Sequence, residues 1–495
     1  MLPAALATVV LRGAIYGAPA LPSGDAGGGW IRRTPPPVTP GEARDLLAGR
    51  TKQIDAGVPV VLRSISSATE ATPEIIAQAR ALRNDPRQIF DYVHNRIDYV
   101  PTYGSVLGAT ATYYAGRGND CDQASLLIAL MRQAGYTARY VVGDVVYTPA
   151  RLAAWLGAAE SAAQNVLLNG GVPLAWTGTG WQVTRVWAEV HLDGAWRTFD
   201  PAMKEYVVTP GIADLRAALQ YTPAAFLGNA QAGATVTADS ARNLNEANIR
   251  DGLAACSTSL VAHLRAHLPA AGFDEVTGGR TVVETEMGAY PTALPFAVSV
   301  SGTTTYETLP AGLQHTLTVT HQETPANTRT FYGYEVAGRR MTLVFQGTDT
   351  ALCLEGDVQF LFTGTPSNAW FNLLLSVDHP TAGDQSRVFP LRAGFPYAII
   401  QDFDGVSPEL LAARHARLAR ARHEGMDAAS EAVRGEALWI LGQEWCHQVA
   451  LFDRIVDRLN NTRNISHHRV GLTGQVDGYY IDMPMLYGST ASTDG

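Results

Sequence analysis

Apolar residues along this chain switch between helical and strand spacing, and the switches divide it into segments. Thr72-Pro73-Glu74 opens a helix with threonine at the cap and proline at the first helical position, and Ile75, Ile76, Ala79 and Leu82 share one face. Asp85-Pro86 starts the next helix, on which Ile89, Phe90, Val93 and Ile97 recur. Residues 120–135 predict a buried helix: Ala124, Leu127, Leu130 and Met131 are apolar, and Gly135 supplies the stop. Residues 137–146 form a β-rich run. A hairpin is expected over 183–199, closed by Asp193-Gly194, a dipeptide favoured in tight type I′ turns. Upstream, residues 21–42 are rich in Gly and Pro and read as a linker, with a helical stretch near 40–56.

Beyond Phe273 the pattern turns to short alternating segments separated by Gly, Pro, Asn and Asp, at 281–285, 296–300, 316–319, 341–345, 358–362 and 371–377. That spacing predicts a β-sandwich over 271–405. Ser407-Pro408-Glu409 then caps a helical region running to about residue 461, broken near Gly425. Leu438, Leu441, Trp445, Val449 and Phe452 make its apolar stripe, read as core packing. Residues 470–487 return to β-like sequence before a polar tail, an ending expected of a piece of a larger protein. The chain therefore reads as α+β, with residues 1–70 as N-terminal linker and helices and 406–495 as a helical region ending in a short β segment.

Composition narrows the function classes. A length of 495 residues exceeds what one core organises, so two or three domains are expected. Net charge is −9, and the basic residues form no run, which argues against nucleic acid or an anionic membrane as partner. No apolar run approaches the roughly 20 residues that span a bilayer. Cys121, Cys256, Cys353 and Cys446 lie far apart, so a cysteine zinc site is not expected, while one long-range disulfide stays open. The apolar first 20 residues end in Ala18-Pro19-Ala20, as before a signal cleavage site. Arg12 interrupts them and no charge precedes it, so the alternative of an ordinary terminus also stands.

An ordered set of motifs lies between residues 88 and 206. Gly118-Asn119-Asp120-Cys121-Asp122-Gln123-Ala124 precedes the buried helix and Ala138-Arg139-Tyr140-Val141-Val142-Gly143 follows it. Val186-Trp187-Ala188-Glu189-Val190 comes next, then Gly194, Trp196 and Asp200-Pro201. This set resembles the transglutaminase-like superfamily, a papain-related group that includes microbial proteases and peptide N-glycanases. The resemblance implies a transglutaminase-like domain over 71–230. It is closest to the variant found in large bacterial secreted or surface proteins with RHS repeats, whose pattern Gly118–Ala124 and Asp200–Lys204 follow. It further implies an extracytoplasmic module whose partner is another protein or the rest of a larger polypeptide, with a peptide or protein as any substrate.

Chemistry in such a domain needs a cysteine at a helix N-terminus, where the dipole favours thiolate, and a facing histidine oriented by an aspartate. Cys121, His191 and Asp200 are the first candidates for these catalytic roles. Aligning Asp122, Ala124, Leu126, Leu127 and Arg132 with the family places Asp120 at the nucleophile position, with Cys121 about 100° further round the helix. The histidine position, two before Trp187, holds Arg185. With Asp193-Gly194 as a two-residue turn, His191 faces Trp196, and Arg185 is a diagonal neighbour of Asp200. Arginine stays protonated and cannot act as a base. The family's active-site positions are thus Asp120, Arg185 and Asp200.

Two readings follow. In one the domain is degenerate and kept for binding or assembly, with Asp120, Arg185 and Asp200 as an ion-pair cluster or a charged pocket and Cys121 packed away. In the other it is a cysteine-dependent amide hydrolase or acyl transferase using Cys121 with Asp200 and His191, or with a more distant histidine such as His94 or His263. Neither calls for a cofactor or a metal. His467-His468 and the pair His415 and His423 lack the spacing of a metalloprotease helix, and Asp402-Phe403-Asp404-Gly405 lacks the remaining ligands of an EF-hand.

Overall fold

The computed structural model describes residues 65–237, 241–322, 327–346, 349–362, 369–381, 384–403, 406–460, 462–476 and 479–493. The linker and helix expected before residue 65 lie outside them, as do Asp404 and Gly405. Mixed helix and strand content fits the α+β class.

The two proline-started helices form where their caps lie, α1 at Pro73–Ala81 and α2 at Pro86–Arg96. Asp85 caps α2 by accepting from the backbone of Arg87 and Gln88. Thr72 makes no such bond to α1, because its hydroxyl pairs with that of Thr110 instead. Helix α3 (Gly108–Ala115) leads to α4 (Asp120–Gln133), which is buried from Asp120 through Met131. A helix buried on every side carries no amphipathic stripe, and α4 packs against α1, α2 and α3 on one flank and a sheet on the other.

That sheet holds β1 (Ala138–Tyr147), β2 (Leu174–Trp176), β3 (Trp181–Leu192), β4 (Ala195–Phe199) and β7 (Ser299–Tyr306) in the order β7-β1-β3-β2, with β4 also paired to β3. Alternation sorts β3 by face: Val186, Ala188 and Val190 lie in the cluster with α4, whereas Val183 and Trp187 join Trp155 and Leu156 of α5 (Pro149–Leu156) on the other side. The β3–β4 turn has Asp193 at φ 51° and Gly194 at φ 76°, and it pairs Leu192 with Ala195 and His191 with Trp196, the register expected of a type I′ turn. Strand β7, a segment expected among the later strands, pairs antiparallel with β1. It covers an edge that the hairpin leaves open. Likewise β6 (Gly279–Val282) pairs with β5 (Tyr206–Thr209). Between β5 and β6, helices α6 (Leu215–Leu219), α7 (Pro223–Ala230) and α8 (Glu246–His267) pack around a small cluster that includes Leu215, Phe226, Leu253 and Cys256.

The second half contains two antiparallel sheets. One runs β9-β8-β13-β14, from β8 (Thr316–His321), β9 (Thr328–Tyr332), β13 (Trp370–Asp378) and β14 (Gln385–Arg392). The other runs β12-β11-β10-β15-β16-β17, from β10 (Met341–Gln346), β11 (Asp349–Leu354), β12 (Asp357–Phe362), β15 (Tyr397–Asp402), β16 (Thr462–Val476) and β17 (Tyr479–Thr493). Their facing residues, among them Leu317, Phe371 and Leu373 from the first and Leu343, Ile399 and Leu472 from the second, share one cluster that extends to Val106 and Leu107 before α3.

Helices α9 (Pro408–His423) and α10 (Glu436–Asn460) cover the outer face of the six-stranded sheet. Leu438, Trp439, Ile440 and Cys446 are among the buried positions there, while Leu441, Trp445 and Val449 of the expected stripe are only partly buried. Gly442 accounts for the rotation. A Cβ at that position would sit 2.3 Å from Ile400, so the missing side chain lets the helix lie directly on β15.

Candidate functional site

The start of α4 is held in place by polar contacts before any side chain faces the sheet. Asn119 caps the helix by accepting from the Asp122 N–H at 2.9 Å, and its own amide donates to Thr102 and Gly104. The Asp122 carboxylate accepts three backbone N–H groups, from Val106, Leu107 and Gly108, at 2.9–3.1 Å. The loop before α3 is thereby fastened to the first turn of α4. Gln123 fixes the other side by donating to the Asp98 and Gly118 carbonyls.

Asp120, the first residue of α4, meets Arg185 of β3. The guanidinium donates from Nε to Asp120 Oδ2 at 3.1 Å and from Nη2 to Asp200 Oδ1 at 3.0 Å. Its Nη1 donates to the Tyr147 hydroxyl at 3.0 Å, and its plane lies over the Trp155 ring, 4.2 Å from the centroid. The Val186 N–H also donates to Asp120, and the Ala202 and Met203 N–H groups to Asp200. The charged side chains of the pairs are only 1–3% exposed. Burial alone would lower the Arg185 pKa. The Asp200 and Asp120 carboxylates overcome that, so it lies above the ordinary arginine value and the group is a fixed cation.

Lys204 lies next to this cluster. Its ammonium donates to the Val93 and His94 carbonyls at the end of α2, satisfying groups that a helix C-terminus leaves open. Burial nevertheless brings its pKa down to about 7, with Asp98 and Asp200 opposing the fall.

Cys121 is fully buried in the cluster between α4 and the sheet. Burial first, then the charges of Asp120 and Asp122, push its thiol well above the ordinary cysteine value, and the Gly104 backbone opposes this only in part. Among the described residues no histidine is hydrogen-bonded to its sulfur. His191 is exposed at the far end of β3, edge-on to Trp196 with ring centroids 5.4 Å apart. It is six residues from Arg185, about 20 Å along a strand. His94 bonds the Met203 carbonyl, and the His263 ring lies tilted against that of His267 within α8. The structure therefore brings Asp120, Arg185 and Asp200 together and leaves Cys121 and His191 outside that contact. The cluster is a packed interior rather than a charged pocket.

Among the described residues no group of three His, Cys, Asp or Glu is placed to hold a metal ion, and no helix is long and apolar enough to cross a membrane. The four cysteines are all buried and none is in a disulfide. Tyr147, Trp155 and Lys204 were not singled out as site residues from the chain. Tyr147 follows the β-rich run of residues 137–146 at strand period with Val145, and the register that pairs Gly143 with Arg185 puts it on the Arg185 face.

Neither the curated proteins nor the solved structures compared with the chain give a match. Residues 69–201 match the sequence model of the transglutaminase-like superfamily, and this part of the chain is a transglutaminase-like domain.

Proposed function

We propose that this transglutaminase-like domain is non-catalytic and serves binding or assembly within a larger bacterial secreted or surface polypeptide of the RHS-associated kind. The observation that carries the reading is Arg185 clamped between Asp120 and Asp200, at the positions where the family's motif has its nucleophile, histidine and aspartate. A guanidinium with carboxylates on both sides neither accepts a proton nor attacks a carbonyl. The neighbouring thiol of Cys121 is buried and its pKa raised, the opposite of what a cysteine nucleophile needs. We further read the second half as a β-sandwich backed by helices, on the support of two antiparallel sheets that share one cluster.

The test is the pH dependence of iodoacetamide alkylation at Cys121, followed by mass spectrometry beside Cys256, Cys353 and Cys446. Slow reaction at all four, rising only on unfolding, is the expected result. A Cys121 rate that levels off well below about 8.5, the ordinary thiol pKa, would instead identify an activated thiolate. The domain would then be a cysteine-dependent amide hydrolase or acyl transferase.

A further inference from the structure

A cleft open to solvent lies where α3 meets the turn at residues 337–339, the end of β15 and the start of α9. Its walls are mainly aliphatic and aromatic, with Leu107, Ala111, Ala115, Phe403, Val406 and Leu410 among them. Ala111 and Ala115 stand one helical turn apart, and their short side chains leave room that larger ones would fill.

One charged group in this lining is uncompensated. Arg414 also borders the cleft, but it belongs to a buried network in which Arg340, Arg414 and Arg417 are paired with Glu355, Glu431 and Glu436. Arg339 has no place in that network. It is only 6% exposed, its Nη1 donates to the Glu335 carbonyl, and its Nε has no hydrogen-bond partner among the described residues. Burial outweighs the pull of Glu355, the strongest opposing carboxylate, and lowers its pKa from the ordinary arginine value, as expected of a cation short of an anion. The N-terminus of α9, capped by Ser407, adds a positive dipole end to the same lining. An apolar groove with one buried, unpaired cation matches a molecule that has an apolar chain and one anionic end.

We propose that this cleft binds a small amphipathic carboxylate of the medium-chain fatty acid type, its carboxylate on the Arg339 guanidinium and its chain against Leu107, Ala111, Ala115, Phe403 and Leu410. None of Asp120, Cys121, Arg185 or Asp200 lines the cleft, so the proposal stands or falls independently of the reading of the transglutaminase-like domain.

Isothermal titration of the full chain with octanoate and with 1-octanol tests it. Octanoate is expected to bind saturably at one site and octanol roughly tenfold more weakly, since the charged end supplies the difference. Arg339→Met should weaken octanoate by roughly tenfold or more while leaving octanol unchanged. Ala115→Phe should weaken both by filling the groove. Equal affinity for the two probes, absence of saturable octanoate binding, or octanoate binding indifferent to both substitutions would each overturn the proposal. Arg339→Met replaces an unpaired buried cation with an apolar chain of similar reach, so folding should persist, and a melting curve checks this. Ala115→Phe carries the test if it does not.

Discussion

Two buried ion clusters, one in each half of the molecule, solve the same problem in different ways. In the transglutaminase-like domain a single guanidinium, Arg185, serves Asp120 and Asp200. In the second half three arginines and three glutamates interlock. Glu355 is bonded by Arg414 and Arg417, Glu436 by Arg340 and Arg414, and Glu431 by Arg340 and the Thr342 hydroxyl. Burial would raise the Glu355 pKa, but Arg414 and Arg340 hold it down at about 2. A buried charge is tolerated only while it is paired. The first cluster has one cation that cannot be spared, and the second distributes the pairing so that Arg340, Arg414, Glu355 and Glu436 each have two charged partners. The first links three segments of one domain, α4, β3 and the turn after β4. The second joins β10 and β11 to the turn at residues 431–435 and to α9 and α10. The contrast predicts different sensitivity to single substitutions.

The largest effect should come from Arg185→Met. It strands Asp120 and Asp200 without a cation, and a cost of about 3–5 kcal/mol is expected. Urea denaturation followed by circular dichroism measures it. The triple variant with Asp120→Asn and Asp200→Asn should recover most of the loss, because the charges are then gone together. If Arg185→Met unfolds at the same urea concentration as the parent chain, the cluster is not holding the domain.

Glu436→Gln is the matching cut in the second half and should cost less, about 2 kcal/mol. Glu355 and Glu431 remain beside the same arginines, and the single amide oxygen still accepts from one of them, Arg340 or Arg414. A loss as large as that of Arg185→Met would show that the network has no redundancy and would erase the distinction between the clusters.

The first cluster was legible in the chain and the second was not, for a physical reason. Asp120, Arg185 and Asp200 sit at motif positions, and Asp193-Gly194 fixes the hairpin register that places Arg185 diagonal to Asp200. Local rules therefore reached the contact. Arg340 and Glu355 flank the paired strands β10 and β11, while Arg414 and Glu436 lie on α9 and α10, and no spacing rule links that strand pair to the helices. The pairing of β7 with β1 is hidden in the same way, since a strand's partner depends on which edge is open. Helix α8, by contrast, carries a local signal in its own sequence. Asn245 caps it, and Ile249, Leu253, Cys256, Leu260 and Leu264 recur at helical spacing. The rotation of α10 rests on Gly442, whose lack of a side chain matters only once Ile400 is beside it.

A pH-dependent contrast follows from His468 on β16. It is buried against Phe403, ring centroids 4.1 Å apart, and neither ring nitrogen has a hydrogen-bond partner among the described residues. Burial lowers its pKa from 6.5 to about 3. As pH falls below the unfolded value, the unfolded chain takes up a proton that the folded chain refuses until about pH 3. Stability is therefore lost through that window on the acid side. His468→Phe should remove this contribution, raising stability near pH 4.5 by about 3 kcal/mol and leaving it little changed at pH 7.5. Urea titrations at the two pH values make the comparison. An equal change at both would mean that the ring affects packing rather than proton uptake.

The smallest effect separates the buried cluster from the rim of the same hairpin. His191 shares β3 with Arg185, yet it is exposed and touches mainly Trp196, whose other face carries the Arg139 guanidinium at 3.8 Å. Arg139 in turn pairs with Glu189 on a partly exposed surface, where an ion pair adds little. His191→Ala should change stability by about 0.5 kcal/mol and leave the alkylation rate of Cys121 and its pH profile as they were. Only a base acting on that thiol would make the profile move. A shift in the Cys121 profile would therefore join His191 to the buried end of the strand and reverse the assignment of this domain as non-catalytic. An unchanged profile would leave Arg185 and His191 as they are placed, one an interior clamp and the other a surface residue.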